Sequence, residues 1–425
     1  MAPHPPTRRL RSVRTIASPG THLPPRRVLG DRLGTHDNAL NFIRLTLAAL
    51  VVVGHGAVLG GFEQQRWHDL SGMAVNGFFA ISGFLIAGSR VRTSFLSFLW
   101  RRALRLYPAF WVALLTTAFL VAPLTARLSG ESWIAGRAVD YVLHNASLSI
   151  HQWGIEHLLL GVPYPGVWNG SLWTLWFEGV AYLAAGLVLS VGIVRRRPLP
   201  WLAGVLVVVL VLAVLAHGPL DVTTSRYLNG LRLAGFFLAG MILWAARSSV
   251  PLSAWLGVPA LGLALVASRW EVPYGDIVSA LPLAYALLWL GAVLPVRLCS
   301  RTDRSYGTYI YVFPLQQLLV VLGVHTTLGY WGVLPALSPS RTAACVAFMD
   351  ARGEAGHAVE VPDPLSVRSR ARRPRGVVVA TRRAPFLTAG ARACPVGDDV
   401  AACAGCSGSG SPGRAAASRS AARRC

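Results

Sequence analysis

Long apolar segments alternate with short polar stretches between residues 39 and 324. They lie near residues 39–60, 74–89, 108–124, 171–194, 201–216, 227–246, 252–267, 276–296 and 305–324. A helix needs about 20 residues to cross a bilayer, so most segments are long enough and the shortest are marginal. Irregular connections are expected outside the hydrocarbon, where backbone groups can bind water. The pattern predicts an all-α, polytopic membrane helical bundle of about nine spans.

The arginines between these segments predict how the bundle is oriented. If the N-terminus is cytoplasmic, the loops after the second, fourth, sixth and eighth spans should be the basic ones. Those loops contain Arg90, Arg92, Arg101, Arg102, Arg105, Arg195, Arg196, Arg197, Arg247, Arg297, Arg301 and Arg304. The opposite loops contain fewer: Arg66, Arg127, Arg137, Arg226 and Arg269. We therefore expect a multi-pass protein of the plasma membrane with its N-terminus in the cytoplasm.

The composition agrees with a membrane protein. Hydrophobic residues make up 53% of the 425 residues, charged residues only 14%, and the mean hydropathy is +0.49. A soluble protein carries about 25% charged residues. The net charge of +22 would suit a nucleic-acid-binding protein, but no binding module is visible between the arginine clusters. No nucleic-acid partner is expected.

Two terminal stretches differ from the apolar domain, residues 38–337. Residues 1–37 are rich in Pro and Arg and lack an apolar core, so they predict a disordered cytoplasmic arm rather than a signal peptide. Residues 338–425 change abruptly to a low-complexity composition without apolar periodicity. We interpret this tail as out-of-frame translation, and the alternative is a genuine disordered tail. The first interpretation requires an apolar stretch of about 20 residues in another reading frame after codon 338.

No metal site is predicted. Cys403 and Cys406 form a lone Cys-x-x-Cys without a second pair or a histidine cluster, for which chance is the better explanation. His151 and His157 fall in the long outer loop, residues 125–170, which we interpret as a connector.

Arg44 and His55 are ionisable residues inside the first apolar segment. At about 100° per residue their spacing is three turns plus about 20°, so both share one helix face, about 16 Å apart along the axis. The expected orientation puts Arg44 near the inner leaflet and His55 near the outer one. Such groups usually face a bundle interior or a wet cavity, so the pair predicts a polar path through the membrane. The alternatives are that Arg44 extends to the headgroups and that His55 is a neutral packing residue.

Glu178 is an acidic residue about seven positions into the fourth segment, which enters from outside. We therefore expect it at a depth similar to that of His55. A carboxylate beside an imidazole orients it and makes it a better base. The alternative is that Glu178 pairs with a structural arginine or stays protonated as a packing residue.

Arg101, Arg102 and Arg105 precede the third segment at the cytoplasmic side. A cluster of guanidinium groups at this surface suits a ligand that carries phosphates. Ordinary anchoring of a helix at the inner membrane surface is the alternative.

These motifs together resemble a known family. Arg44 through His55 resembles the Arg-x10-His motif of the acyltransferase 3 family, integral-membrane enzymes that modify glycans and other secreted molecules. Four further stretches resemble its motifs in order: NGFFAISGFLIAGS (76–89), RRALRLYPAFW (101–111), NGSLWTLWFEG (169–179) and RSYGTYIYVFPLQQ (304–317). The resemblance covers roughly residues 38–337. Val312 stands where some members have a histidine, and the final span that would bring the total to about ten is absent.

The resemblance implies O-acyl transfer from a cytoplasmic acyl-CoA, most simply acetyl-CoA, with no tightly bound cofactor. The implied acceptor is a hydroxyl of a glycan, a lipid-linked glycan or another secreted molecule; its identity and the oligomeric state are not predicted. His55 would be the general base or a transient acyl carrier, Glu178 would orient it, and Arg44 would position the donor or stabilise negative charge. The residues expected to bind the donor are Arg101, Arg102, Arg105 and Ser82. Further residues expected along the path are Asn76, Ser171 and Trp173. Tyr306 and Tyr309 could line it too, but packing is the simpler role for them.

Two other classes fit parts of the sequence. A transporter or flippase would also place polar groups on the inward faces of a helical bundle. It would not require the Arg44, His55 and Glu178 set together with a basic site for the donor. An inactive acyltransferase would result if the missing last span is needed for folding.

Overall fold

The computed structural model describes residues 28–34, 38–62, 65–296 and 305–334. Most of the predicted N-terminal arm, the loop with Arg297, Arg301 and Arg304, and the whole predicted tail lie outside the described residues. The same is true of Cys403 and Cys406. The described residues all belong to one compact unit, Met1–Pro364.

The described residues are predominantly helical and contain no β-strand, which confirms the all-α prediction. A π-helical turn, Thr117–Val121, joins α4 to α5. In chain order the helices are α1 (Leu29–Leu33), α2 (Leu40–Leu59), α3 (Gln65–Arg92), α4 (Phe95–Thr116), α5 (Ala122–Ser129), α6 (Ala135–Asn145), α7 (Trp173–Val188), α8 (Gly192–Arg196), α9 (Pro198–His217), α10 (Ser225–Ala245), α11 (Ala254–Ala267), α12 (Tyr274–Val293), α13 (Ser305–Val321), α14 (Val324–Thr327) and α15 (Gly329–Gly332).

Each of the nine predicted apolar segments coincides largely with a helix. Within the described residues, six helical stretches are long and apolar enough to cross a membrane, which supports a multi-pass membrane protein. They are Leu40–Leu59, Leu70–Arg92, Phe95–Ser129, Pro198–His217, Ser225–Ala245 and Tyr274–Val293. Helices α7 and α11 are apolar but shorter, and α13 has 17 residues. The number of about nine crossings therefore stays a prediction.

Helices α3 and α10 touch through their backbones. A Cβ atom on Gly83 would lie 1.9 Å from the carbonyl oxygen of Phe237, and one on Gly240 would lie 1.9 Å from that of Ala80. Small residues permit such close approach between helices in membranes. The contact fixes the position of α3 relative to α10, and therefore also the position of Ser82, which precedes Gly83.

Helix α4 begins earlier than the third apolar segment predicted. It starts at Phe95 and continues through Pro108, which stands inside the helix. Proline removes one backbone hydrogen bond there, yet the helix is not interrupted. Arg102 and Arg105 therefore stand on the same helix as the third apolar segment rather than on a loop before it.

The segment before α7 is buried in the bundle rather than lying on its surface. Trp168 and Asn169 are at most 2% exposed. The Asn169 amide donates to the Tyr141 hydroxyl over 2.8 Å, and the Gln317 amide of α13 donates to the carbonyl of Val167 over 2.9 Å. The end of the loop expected to be a connector is thus part of the packed interior, and α7 starts inside the bundle.

Candidate active site

Helices α2, α3, α7 and α13 enclose a small cavity of about 40 Å³, which we call the central cavity. Three of its lining residues, Arg44, Ser82 and Glu178, were predicted as site residues. The other lining residues are Val75, Phe78, Phe79, Thr174, Leu175, Ser305, Tyr306 and Tyr309. The structure thus brings together the arginine of the Arg-x10-His motif and the glutamate of the fourth segment.

Arg44 and Glu178 are the charged residues that line this cavity. Arg44 is 6% exposed, and its guanidinium carbon lies 6.0 Å from the centre of the Phe78 ring. The Glu178 carboxylate accepts a hydrogen bond from the Tyr182 hydroxyl. An isolated charge in a membrane span is energetically costly. A guanidinium and a carboxylate that share one cavity attract each other, and this attraction offsets part of the desolvation free energy of both.

The basic motif reaches the central cavity through Tyr182. The Arg102 guanidinium carbon lies 5.8 Å from the centre of the Tyr182 ring, and its Nη2 donates to the Ser89 hydroxyl over 2.9 Å. Arg105 also lies close enough to Tyr182 to interact electrostatically. Arg101, by contrast, is exposed. Two of the three predicted donor-binding arginines therefore approach the cavity, and the third faces away.

Tyr306 and Tyr309 line the cavity and also tie α13 to its neighbours. The Tyr306 hydroxyl donates to the carbonyl of Leu106 on α4 over 2.9 Å. The Tyr309 hydroxyl lies 2.9 Å from the carbonyl oxygen of Ser171 and 2.7 Å from the Thr174 hydroxyl. Ser171, expected along the path, is buried and donates to the backbone carbonyl of Tyr309 over 3.2 Å. These contacts hold the start of α7 against α13.

His55 lies in a different part of the bundle. Its ring packs edge-on against Phe313, with 5.2 Å between ring centres, and it is half-buried. Phe313 in turn lies so close to Gly170 that a Cβ there would be 2.3 Å from the Phe313 ring. Tyr306 precedes Phe313 by seven residues of α13, which corresponds to about 10 Å along the axis.

This arrangement corrects the expected depth of Glu178. The sequence predicted Glu178 near His55, whereas the structure places it with Arg44 and Tyr306. The prediction assumed that the fourth segment starts at the outer surface. Because the chain before α7 folds into the bundle, Glu178 lies deeper than a surface start would put it.

The structure also shows a polar cluster that was not predicted. Helices α9, α10 and α12 line a second cavity of about 150 Å³, which contains Arg232, Asp276 and His217. Asn76, expected along the path, donates instead to the Asp276 carboxylate over 3.3 Å. A signal existed, since Arg232 and Asp276 are charged residues within predicted spans.

Trp173 and Arg90 were also named from the sequence, and both make packing or structural contacts. Trp173 opens α7 and packs edge-on against Phe177, with 5.5 Å between ring centres. Arg90, counted among the cytoplasmic arginines, is a buried structural residue that donates to the carbonyls of Gly186 and Thr93. Within the part of the chain that the structure describes, no group of three or more His, Cys, Asp or Glu side chains could hold a metal ion.

Comparison with known proteins identifies the family. The model of the acyltransferase 3 family, described as an acyltransferase domain, matches residues 37–350. An O-acetyl transferase of Shigella phage Sf6 is 28% identical over 301 residues, which cover 67% of this chain and 86% of that protein. Nodulation protein 10 of Rhizobium leguminosarum bv. viciae is 27% identical over 334 residues, covering 70% and 86%. No solved structure matches the chain. With its apolar helices and its central cavity, the chain belongs to the acyltransferase 3 family and is a membrane O-acyltransferase.

Proposed function

We propose that the chain transfers an acetyl group from cytoplasmic acetyl-CoA to a hydroxyl group of an acceptor. The acceptor is a glycan or another molecule that is part of the cell envelope or is secreted from the cell. The acceptor is free or lipid-linked, and the site of action is the plasma membrane. The observation that carries the proposal is the continuity between the basic motif and the central cavity, through Arg102, Tyr182 and Glu178. The phage relative named as an O-acetyl transferase supports acetyl as the transferred group.

The donor would bind at the basic end of α4. Guanidinium groups bind phosphates through paired, charge-assisted hydrogen bonds, so Arg102 and Arg105 suit the phosphates of CoA. The thioester arm would then extend past Tyr182 into the central cavity. A cavity of about 40 Å³ holds only a few water molecules, so the arm must displace side chains as it enters.

Arg44 and Glu178 would act on the donor within the cavity. The Arg44 guanidinium would position the donor arm as it passes through the cavity or stabilise negative charge that develops on it. Glu178 would hold the arginines of the cavity in position, rather than orient His55, since it lies with Arg44. Ser82 lines the same cavity and offers a hydroxyl to the entering arm.

His55 would act on the acceptor side. As a general base, its imidazole takes the proton of the acceptor hydroxyl while that oxygen attacks the thioester carbon. The carbon–sulfur bond breaks, and CoA leaves as a thiolate that is then protonated. As a carrier, the imidazole nitrogen would itself displace CoA, and the acceptor hydroxyl would attack the acyl-imidazole. Tyr306 marks the central cavity, and Phe313 contacts His55. The acetyl group would therefore have to move about 10 Å along α13 to travel from the cavity to His55.

The test is acetyl transfer by membranes that contain the chain. Membranes are incubated with radiolabelled acetyl-CoA and a host glycan extract, and label in the glycan is counted. Replacement of His55 by Ala should lower transfer at least about 100-fold, the smallest contribution usual for an acid–base group. The matched control is His151→Ala in the exposed outer loop, which should transfer as the parent does. Near-native turnover by His55→Ala would contradict the proposed role.

A further inference from the structure

The second cavity holds a guanidinium and a carboxylate that do not meet. Arg232 of α10 and Asp276 of α12 both line it and lie close enough to interact electrostatically. Among the described residues, however, no ion pair within 4.0 Å joins them. The Arg232 Nε is buried, and no described group accepts its hydrogen bond. Opposite charges that share a cavity without contact leave room for a ligand between them.

The carboxylate is held from one side only. Asn76, which is 6% exposed, donates from Nδ2 to one Asp276 oxygen over 3.3 Å. The Oδ1 of the same Asn76 amide is buried without a hydrogen-bond donor among the residues that the structure describes. Among the cavity-lining groups, a donor on Arg232 and the other Asp276 oxygen therefore remain available to a ligand.

Besides Asn229, a further polar residue that lines the cavity is His217. Its Nδ1 lies 2.9 Å from the backbone carbonyl oxygen of Ala213. A carbonyl oxygen can only accept, so Nδ1 carries a proton and Nε2 is the ring nitrogen left for a ligand. The cavity thus presents the guanidinium of Arg232, the carboxylate of Asp276, the imidazole of His217 and the amide of Asn229, which together supply both donors and acceptors.

This set of groups selects the chemistry of the ligand. A simple anion would be repelled by Asp276, and a simple cation by Arg232. A hydroxyl group both donates and accepts, so two adjacent hydroxyls can bridge the pair: one accepts from Arg232 while the other donates to Asp276. A cavity of about 150 Å³ admits one six-membered ring. A pyranose with vicinal hydroxyls has this size and this chemistry.

The position of the cavity agrees with an acceptor site. His217 is the last residue of α9, Asp276 is in the first turn of α12, and Arg232 is two turns into α10. In the expected orientation these ends all face outward, as does the end of α2 that carries His55. The cavity would therefore open toward the side on which a glycan is presented.

We propose that the second cavity binds one pyranose unit of the acceptor through vicinal hydroxyls held by Arg232 and Asp276. The proposal rests on the proposed function, because it names the acceptor as a carbohydrate and locates part of its binding site. It differs from a structural role for the two charges, which would require no sugar.

Equilibrium dialysis tests binding without any need for transfer. The full chain in detergent is dialysed against radiolabelled methyl glucoside, galactoside and mannoside. The parent should bind at least one of them. Arg232→Gln and Asp276→Asn should each weaken this binding at least tenfold, whereas Arg269→Gln, an exposed control, should not change it.

Two results would overturn the proposal: no binding of any of these glycosides by the parent, or equal binding by Arg232→Gln. Each variant is first checked for an unchanged melting temperature. If Arg232→Gln does not fold, Arg232→Lys retains the positive charge but loses the planar guanidinium. It should then bind the sugar at least tenfold more weakly at native stability, and unchanged binding would equally reject the proposal.

The transfer assay separates this inference from the proposed function. With labelled acetyl-CoA, Arg232→Gln should raise the KM for the glycan at least tenfold and leave the KM for acetyl-CoA unchanged. A raised KM for acetyl-CoA alone would contradict an acceptor site. If the parent transfers no acetyl group, the proposed function fails, and dialysis still decides whether the cavity binds a sugar.

Discussion

Glu178 is a half-buried carboxylate within an apolar helix. It shares the central cavity with Arg44 and accepts a hydrogen bond from Tyr182. Carboxylates in such surroundings are retained when they serve a partner or a reaction. Under the proposed function, its role is to hold the arginines of the cavity in position.

Replacement of Glu178 by Gln keeps the shape of the side chain and removes its charge. A hydrogen bond to a charged group contributes about 1.5–3 kcal/mol, so the loss of the carboxylate that holds the cavity's arginines should lower acetyl transfer per folded molecule about 10- to 100-fold. The control Tyr182→Phe keeps the carboxylate and removes one hydrogen bond to it, so its loss should be smaller. Initial rates, corrected for folded protein, measure both. Unchanged turnover by Glu178→Gln would show that the charge has no part in the reaction.

Arg102 and Arg101 form a matched pair on α4. Arg102 packs against Tyr182, whereas Arg101 is exposed. A hydrogen bond to a charged group contributes about 1.5–3 kcal/mol, so Arg102→Gln should raise the KM for acetyl-CoA by about 10- to 100-fold. Arg101→Gln should change it little. Equal effects of the two substitutions would indicate general surface charge rather than a defined phosphate contact.

Single residues explain both what the sequence predicted about the site and what it missed. Arg44 and Glu178 were identified because a charged residue in an apolar segment is energetically costly and therefore often functional. The structure places both residues in one cavity. Arg232 and Asp276 meet the same criterion, and their grouping became visible only when α10 and α12 were seen side by side. Pairing across helices depends on rotation and depth, which hydrophobic periodicity does not specify.

Helix α7 shows how far an element can be predicted. Its apolar core was located correctly, but the predicted segment ran from 171 to 194 and the helix from Trp173 to Val188. The depth of its first turn depends on hydrogen bonds made by Asn169 and Gln317, far apart in sequence. Such long-range contacts do not affect the local pattern of hydrophobic and polar residues. That pattern therefore could not reveal that α7 starts inside the bundle.

The contact between α3 and α10 can be tested at Gly240. An added methyl group would lie 1.9 Å from the Ala80 carbonyl oxygen, so Gly240→Ala must push the helices apart. Such overpacking typically costs about 1–3 kcal/mol and should lower the melting temperature in detergent. Gly204→Ala on α9 is the control, because no heavy atom lies within 4 Å of the new methyl group. It should be neutral or slightly stabilising, by about 0.5–1 kcal/mol. Equal melting temperatures for the two variants would contradict the backbone contact.

At the largest scale, the part of the chain that the structure describes is a helical bundle whose polar groups occupy different levels. Arg102 and Arg105 lie at the basic end, Arg44 and Glu178 in the central cavity, and His55 about two turns of α13 further. The helical class followed from composition and periodicity, and the orientation remains a prediction from the arginine distribution. This sequence of levels predicts that the donor enters from the cytoplasmic face.

The entry side of the donor is the most direct test of this arrangement. Sealed vesicles of both orientations are prepared from cells that produce the chain, and radiolabelled acetyl-CoA, which does not cross the membrane, is added outside. Inverted vesicles, whose cytoplasmic face is exposed, should incorporate label into glycan, and the Arg102→Gln variant should do so poorly. Sealed right-side-out vesicles should incorporate label only after permeabilisation. Equal incorporation by sealed right-side-out vesicles would contradict transfer from a cytoplasmic donor through the central cavity.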